Sequence, residues 1–196
     1  MVRIIHITDI HCETRKLRSV LDREEFDMVI ATGDFECMES LEILYEAGTN
    51  VLAVTGNTDS PHIARKLKEF EWNVGGRIIT IYGLRVGGIG GIEPGYSLEK
   101  LESLLEGEKG LDILLTHYPP YQMLDKTIFG VHVGSKNIMR FIGKYQPRIV
   151  LCGHIHESRG YIELGNTLIV NPGPLLQGYY ALIDVGEKTY PSLKHL

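Results

Sequence analysis

The chain has 196 residues, 43% of them hydrophobic and 23% charged, and carries a formal net charge of −5. That length is enough to bury roughly 70% of the unfolded surface in one domain spanning residues 1–196, and the acidic balance lacks the basic footprint of a protein that tracks a nucleic-acid backbone. No apolar stretch approaches the ~20 residues needed to cross a bilayer, no leader-type segment opens the chain, and the three cysteines show no CxxC spacing, so a membrane partner, a disulfide framework and a thiolate zinc site are all unexpected and a cytoplasmic address is the expectation.

In chain order, a β-branched run over residues 3–7 reads as a buried strand that delivers Thr8-Asp9-Ile10-His11. Residues 14–24 put Leu17, Val20 and Leu21 on one helical face. The run 28–31 leads into Gly33-Asp34, and the helix over 36–47 turns Leu41, Leu44 and Tyr45 inward before Gly48 stops it. The run 51–54 leads into Gly56-Asn57. Ser60 then caps a helix with Pro61 at its first position and Ala64 and Leu67 inward. This βαβαβα order predicts parallel strands joined by right-handed crossovers.

The glycine-rich stretch 83–91 lacks both the Walker lysine and a GxGxxG that opens a helix, and is read as tight turns between strands. A helix opening at Ser97 buries Leu98, Leu101, Leu104 and Leu105 and ends at Gly107. The run 113–115 delivers His117, a helix over 135–145 is stopped by Pro147, and the run 149–151 delivers Gly153-His154-Ile155-His156. Segments near 158–164, 167–170, 178–185 and 188–193 have no helical period and read as antiparallel strands and hairpins. Two sheets facing each other between helical layers satisfy both halves of the chain.

Five strands therefore end on residues able to bind a metal, and in open α/β sheets the functional crevice lies beyond such ends. Asp9 with His11, and His154 with His156, are spaced to share one side of an extended backbone. Asp34 and Asn57 follow glycines, which let backbone come close to an ion. Carboxylates, imidazoles and an amide oxygen without thiolate favour Mn, Fe or Zn, with Mn the first expectation and Ni or Co also compatible. Seven ligands (Asp9, His11, Asp34, Asn57, His117, His154 and His156) exceed one ion's needs and suit two divalent ions about 3.5–4 Å apart. Against Asp9, Asp34 and a bridging hydroxide, two such ions leave a formal balance of plus one, which selects an anionic substrate such as a small phosphate ester.

The ordered set Asp9-x-His11, Gly33-Asp34, Gly56-Asn57-x-Asp59, His117 and Gly153-His154-x-His156 resembles the calcineurin-like metallophosphoesterases over nearly the whole chain. The resemblance implies a four-layer α/β/β/α sandwich of two mixed sheets. It also implies one ion on Asp9, His11, Asp34 and His156, a second on Asp34, Asn57, His117 and His154, and Asp34 as the bridge. Many members carry His after the Asn, where it serves the leaving group. Here Thr58 stands in that place, as in the small bacterial and archaeal, phosphodiesterase-like branch, and Asp59 loses its usual imidazole partner. His132, in Gly130-Val131-His132-Val133-Gly134-Ser135, is the substitute expected near the substrate.

The expected activity is hydrolysis of a phosphodiester or activated phosphomonoester by a metal-bridging hydroxide. The alternatives are a phosphatase or pyrophosphatase of small nucleotides, or a non-catalytic binding scaffold of the same fold. Outside the ligand set, His6 is expected in the core or just behind the site, and His62 and His195 in solvent. Cys12 and Cys152 are expected as small apolar filling, Tyr121 as a packed aromatic, and Asn171-Pro172-Gly173-Pro174 as a turn.

Overall fold

The computed structural model describes residues 1–107 and 110–196. One sheet contains β1 (Val2–Ile7), β2 (Met28–Ala31), β3 (Asn50–Ala53), β10 (Tyr179–Val185) and β11 (Thr189–His195), in the order β11-β10-β1-β2-β3. The other contains β4 (Ile78–Ile81), β5 (Leu84–Ile89), β6 (Ile113–Thr116), β7 (Ile149–Leu151), β8 (Gly160–Leu164) and β9 (Thr167–Asn171), in the order β4-β5-β6-β7-β9-β8. Among the described residues five α-helices flank them: α1 (Thr14–Arg23), α2 (Met38–Glu46), α3 (Pro61–Glu69), α4 (Pro94–Leu104) and α5 (Lys136–Tyr145). The result is the expected four-layer α/β/β/α sandwich.

The period of two along each strand explains the layering. Ile4, Met28, Ile30 and Leu52 point inward and meet Val86, Ile113, Leu115, Ile149 and Leu151 of the facing sheet. Their neighbours Ile5, Val29, Ala31 and Val51 point outward and pack against Leu17, Val20, Leu41, Leu44, Ile63 and Leu67 of α1, α2 and α3. On the opposite side Leu114, Val150 and Ile169 meet Leu98 and Leu101 of α4 and Ile138, Phe141 and Ile142 of α5. Strands buried on both faces read as unbroken apolar runs, which is why 3–7, 28–31 and 149–151 stood out in the sequence. β1, β2 and β3 pair in parallel, with Ile4 opposite Met28 and Met28 opposite Asn50. β5, β6 and β7 do likewise in the second sheet.

Several details differ from the sequence reading. The 83–91 stretch is mainly strand: Gly87 and Gly88 lie inside β5, where an added Cβ would come 2.9 Å from Leu101 Cδ1 and 2.6 Å from Val54 Cγ1 respectively. Close approach of both core layers, not turn geometry, requires glycine there. β4 pairs antiparallel with β5 and has no counterpart among the expected elements. β9 joins β7 in parallel, although β8–β9, β1–β10 and β10–β11 are antiparallel as expected. Helix α4 opens at Pro94, three residues before Ser97; Leu98, Leu101 and Leu105 are buried as expected, but Leu104 is on the surface at 48% exposure. Tyr45 is also exposed, stacked on Phe70 at 4.9 Å between ring centroids. Cys12 is exposed rather than core filling, whereas Cys152 is fully buried. No helix of the described residues is long and apolar enough to cross a membrane.

Candidate metal centre

The loops after β1, β2, β3, β6 and β7 converge beyond the strands' carboxyl ends. Asp9, His11 and His156 form one group, and Asp34, His117 and His154 a second, each offering ligand atoms within 4.8 Å of one another. Asp34 connects them: its Oδ2 lies 3.9 Å from His11 Nε2 and 3.5 Å from His117 Nε2. Asn57 Oδ1 lies 2.8 Å from His117 Nε2. All seven expected ligand residues are thus gathered, whereas His132 belongs to neither group.

The backbone route differs from the extended one expected. Asp9 (φ 50°), His11 (φ 45°), Asp34 (φ 56°) and His154 (φ 68°) all adopt left-handed conformations, and His156 opens a short 3-10 turn, His156–Ser158. Tight left-handed turns, not alternating strand residues, aim the side chains, and such strain concentrates at functional sites. The strand-exit glycines admit neighbouring loops rather than an ion: a Cβ on Gly56 would collide with the Asp34 carboxylate and amide.

Around this group lie residues that the motif reading did not assign. His117 Nδ1 is 2.8 Å from the Thr32 carbonyl, so on the neutral ring the proton sits on Nδ1 and donates there. His117 Nε2 then presents a lone pair toward Asn57 Oδ1 and the Asp34 carboxylate, a clustering of acceptors that a cation resolves. Glu36 Oε1 lies 2.9 Å from His11 Nδ1 and orients that ring in the same way. Burial pulls the Glu36 carboxyl upward, but the hydrogen bonds from His11 and Thr58 leave it below the ordinary glutamate value. Glu36 also adds a third carboxylate to the plus-one charge count.

Asp59, rather than facing a substrate, accepts four backbone N–H groups. Its Oδ1 takes those of Phe35 and Glu36 at 2.7 and 3.0 Å, and its Oδ2 those of Asp34 and Gly56 at 3.1 and 2.8 Å. It locks the Asp34 and Asn57 loops together. Burial pushes its pKa above the ordinary aspartate value, opposed by the Glu36 and Gly56 amides. Thr58 donates its N–H to Asp34 Oδ1 at 3.1 Å.

Asp9 Oδ2 accepts from the Thr8 hydroxyl at 2.8 Å and the His154 N–H at 3.0 Å. Its Oδ1 is buried without a well-formed hydrogen bond among the described residues and faces His156 Nε2 at 3.3 Å. Burial pulls the Asp9 pKa up, yet His156, His117 and Thr8 hold it below the ordinary value. Hydrogen bonding to Asp9 raises His156, whereas burial and then the charge of His117 lower His154. A buried carboxylate oxygen with a spare lone pair, a bare imidazole nitrogen and an amide oxygen aimed at it are the donor set a divalent ion requires.

His132 lies on a small hairpin, where it bridges to Lys126, outside both groups. Its Nδ1 is 2.5 Å from Asp125 Oδ1, and Asp125 Oδ2 accepts the Gln122 and Gly134 N–H groups, each at 2.9 Å. The Ser158 hydroxyl donates to the Lys126 carbonyl at 2.8 Å, tying the hairpin to the turn that carries His156. The ring of Tyr121 is 6.1 Å from that of His132. His6 is buried at Thr32, with Nε2 3.0 Å from Thr32 Oγ1. His62 and His195 are exposed. The 171–174 segment is a turn, in which Asn171 Oδ1 accepts the Gly173 N–H.

Comparison with known proteins bears on the family and the fold. The model of the calcineurin-like phosphoesterase superfamily domain matches residues 2–188. MJ1162, an uncharacterized protein of Methanocaldococcus jannaschii, is 33% identical over 199 aligned positions that cover 88% of each chain. Metallophosphoesterase domain-containing protein 1 of Homo sapiens is 36% identical over 83 residues, 39% of this chain and 26% of that one. Among solved structures, TT1561 of Thermus thermophilus superposes with a TM-score of 0.73 at 21% identity, covering 97% of this chain and 98% of that one. Wild-type Vps29 of Entamoeba histolytica complexed with Zn²⁺ superposes with a TM-score of 0.56 at 13% identity, covering 98% of both chains. The two structural likenesses show the fold, and the sequence matches show the family: this chain belongs to the calcineurin-like phosphoesterase superfamily.

Proposed function

We propose that the chain is a phosphoester hydrolase dependent on two divalent ions, acting on a phosphodiester or an activated phosphomonoester small enough to reach the centre. The observation that carries this reading is Asp34 Oδ2, which stands between His11 Nε2 and His117 Nε2 at 3.9 and 3.5 Å. Asp9, His11 and His156 would hold one ion, His117, His154 and Asn57 the other, and Asp34 both. Mn²⁺ is the first choice for a donor set of oxygen and imidazole nitrogen, with Fe and Zn²⁺ close behind, and a fold neighbour, Vps29, takes Zn²⁺. Bound there, divalent ions supply a water of lowered pKa and neutralise charge on the phosphoryl group.

The chain's own residues supply the rest. Glu36 and Thr32 fix the His11 and His117 rings. Asp59 holds the loops that carry Asp34 and Asn57 in register. His132, its Nδ1 anchored on Asp125, has Nε2 free to carry a proton to the leaving oxygen, a role Thr58 cannot perform at the place where relatives carry His. General-acid assistance of this kind is worth about 10²–10⁴ in rate.

The test is turnover of bis(p-nitrophenyl) phosphate and of p-nitrophenyl phosphate by protein loaded in turn with Mn²⁺, Fe²⁺, Zn²⁺, Ni²⁺ and Co²⁺. Hydrolysis that needs metal supports the proposal, and the ratio of the two rates separates diester from monoester preference. Silence with every metal would leave a binding scaffold as the better reading. His132→Gln should slow alkyl esters much more than nitrophenyl esters, whose leaving group needs no proton. Equal slowing of both would remove His132 from that role.

A further inference from the structure

Strand β8 closes the second sheet, with β9 on one side and no further strand of the described residues on the other. Gly165 (φ 59°) and Asn166 form the two-residue loop to β9, so Leu164 faces Thr167 and the register runs Glu163 to Leu168, Ile162 to Ile169 and Tyr161 to Val170. On β9 the Leu168 N–H donates to the Arg148 carbonyl at 2.9 Å, and the Val170 carbonyl accepts the Cys152 N–H at 3.0 Å. Both residues thus direct their main-chain groups toward β7, and the alternation of an antiparallel pair turns those of Tyr161 and Glu163 to the open edge. Two N–H and two C=O groups stand there without a partner among the described residues. The other edges are guarded: β11 carries Pro191 and Lys194, the Ala53–Asn73 bridge continues β3, and only Thr80 of β4 is exposed. β8 has neither proline nor lysine, and its Tyr161 and Ile162 are 54% and 40% exposed. A cavity of about 480 Å³, lined in part by Tyr161, Glu163, Leu168, Thr189 and Tyr190, opens between β8 and β11.

We propose that β8 is a self-association edge, which pairs antiparallel with β8 of a second copy of this chain about a two-fold axis at Ile162. Ile162 is the midpoint of the five-residue strand, so the axis sets Tyr161 opposite Glu163 of the second copy and Glu163 opposite its Tyr161. Each of these pairs exchanges both N–H···O bonds, which uses every main-chain group left open on the edge. The strand's single charge, Glu163, meets a phenol rather than another carboxylate, so the register sets no like charges face to face. Tyr161 and Glu163 project from one face, that of the cavity, and there each Tyr161 hydroxyl can donate to the facing carboxylate. The second sheets of the two copies become continuous, and the second copy's β8 covers the open side of the cleft between β8 and β11. An unrelated extended peptide could meet the same main-chain groups, but the match of length, register and charge of the strand to itself selects a second copy. The pairing is independent of the proposed hydrolysis.

Sedimentation velocity of the purified chain, from low micromolar to about 1 mM, should show a monomer–dimer equilibrium. Ile162→Lys sets two ammonium groups face to face on the axis and leaves the β8–β9 ladder intact, so the dimer should weaken about tenfold or more at unchanged thermal stability. Glu163→Pro removes an N–H that points to the open edge and none that bonds β9, and it should act in the same direction. At the axis two residues of a non-hydrogen-bonded pair lie about 4.5 Å apart between Cα atoms, within disulfide reach. Ile162→Cys should therefore give, under mild oxidation, a covalent dimer in which mass spectrometry joins position 162 to position 162. Tyr161→Cys, whose two copies stand two residues out of register, should not link to itself. A monomer at every concentration, a dimer indifferent to both Ile162→Lys and Glu163→Pro, or linkage at 161 in preference to 162 overturns the proposal.

Discussion

The Nδ1 atom of His117 lies 2.8 Å from the carbonyl oxygen of Thr32, so a main-chain group of the first sheet fixes the ring of a residue delivered by the second. The same contact turns Nε2 toward Asn57 and Asp34. Facing sheets thus do more than bury apolar surface: they set the tautomer of a candidate ligand, which is how an outer partner would tune a metal site.

Because Asp34 stands within 4 Å of both His11 and His117, Asp34→Asn should lower the occupancy of both ions together. The asparagine can still accept the Thr58 N–H, so the fold should persist, with stability changed by no more than about 1 kcal/mol in the metal-free protein. Elemental analysis after dialysis against limiting Mn²⁺ or Zn²⁺, beside a urea unfolding curve, checks both halves. Full retention of metal would contradict the shared position.

Glu36→Gln removes the negative partner of His11 Nδ1 but keeps an acceptor oxygen. Affinity for one ion of the pair should fall by about 10–100-fold, as is usual when an orienting carboxylate is lost, while the second ion binds as before. Two-site calorimetry resolves this. Equal weakening at both sites would mean that Glu36 acts on the centre as a whole.

The candidate ligands were legible in the sequence because each stands beyond the end of a strand buried on both faces, and such strands announce themselves as apolar runs. Asp9, Asp34, His117 and His154 needed nothing more. Their supports were not legible for distinct physical reasons. Thr32 acts through its carbonyl, which every residue type possesses. Glu36 lies in the turn before α2, where a helical pattern absorbed it. Asp59 sits within the motif, yet its four amide partners come from two loops joined only in the folded chain. The glycines of β5 suggested turns because sequence alone does not show Leu101 and Val54 closing from opposite faces.

Gly91 shows the same close approach at the site. A Cβ added there would lie 2.6 Å from the Asn57 amide nitrogen and against the Gly56 backbone, while the Gly91 N–H donates to the Thr55 carbonyl at 2.5 Å. Gly91→Ala should therefore displace the turn that carries Asn57. The expected cost is about 1–3 kcal/mol from overpacking, together with weaker binding of the ion that Asn57 and His117 approach. Thermal unfolding and metal titration together test this, and an alanine variant with wild-type affinity would show that the loop yields without moving Asn57.

His6 contributes to the response of the metal-free fold to acid. Burial lowers its pKa from 6.5 to about 3, partly offset by Asp9, so between those values the unfolded chain binds a proton that the folded chain refuses. Stability attributable to His6 is therefore complete above about pH 6.5 and falls with pH at up to about 1.4 kcal/mol per unit until the folded-state value is reached. His6→Gln retains a donor for Thr32 Oγ1 and removes the titration. Urea unfolding of both proteins with metal chelated, at pH 7, 6 and 5, should show the wild type losing stability faster than the variant over that span, with carboxylate effects cancelling in the difference. Parallel acid limbs would mean that His6 accepts its proton inside the fold, through a rearrangement that gives Nδ1, unpartnered among the described residues, a group to bond.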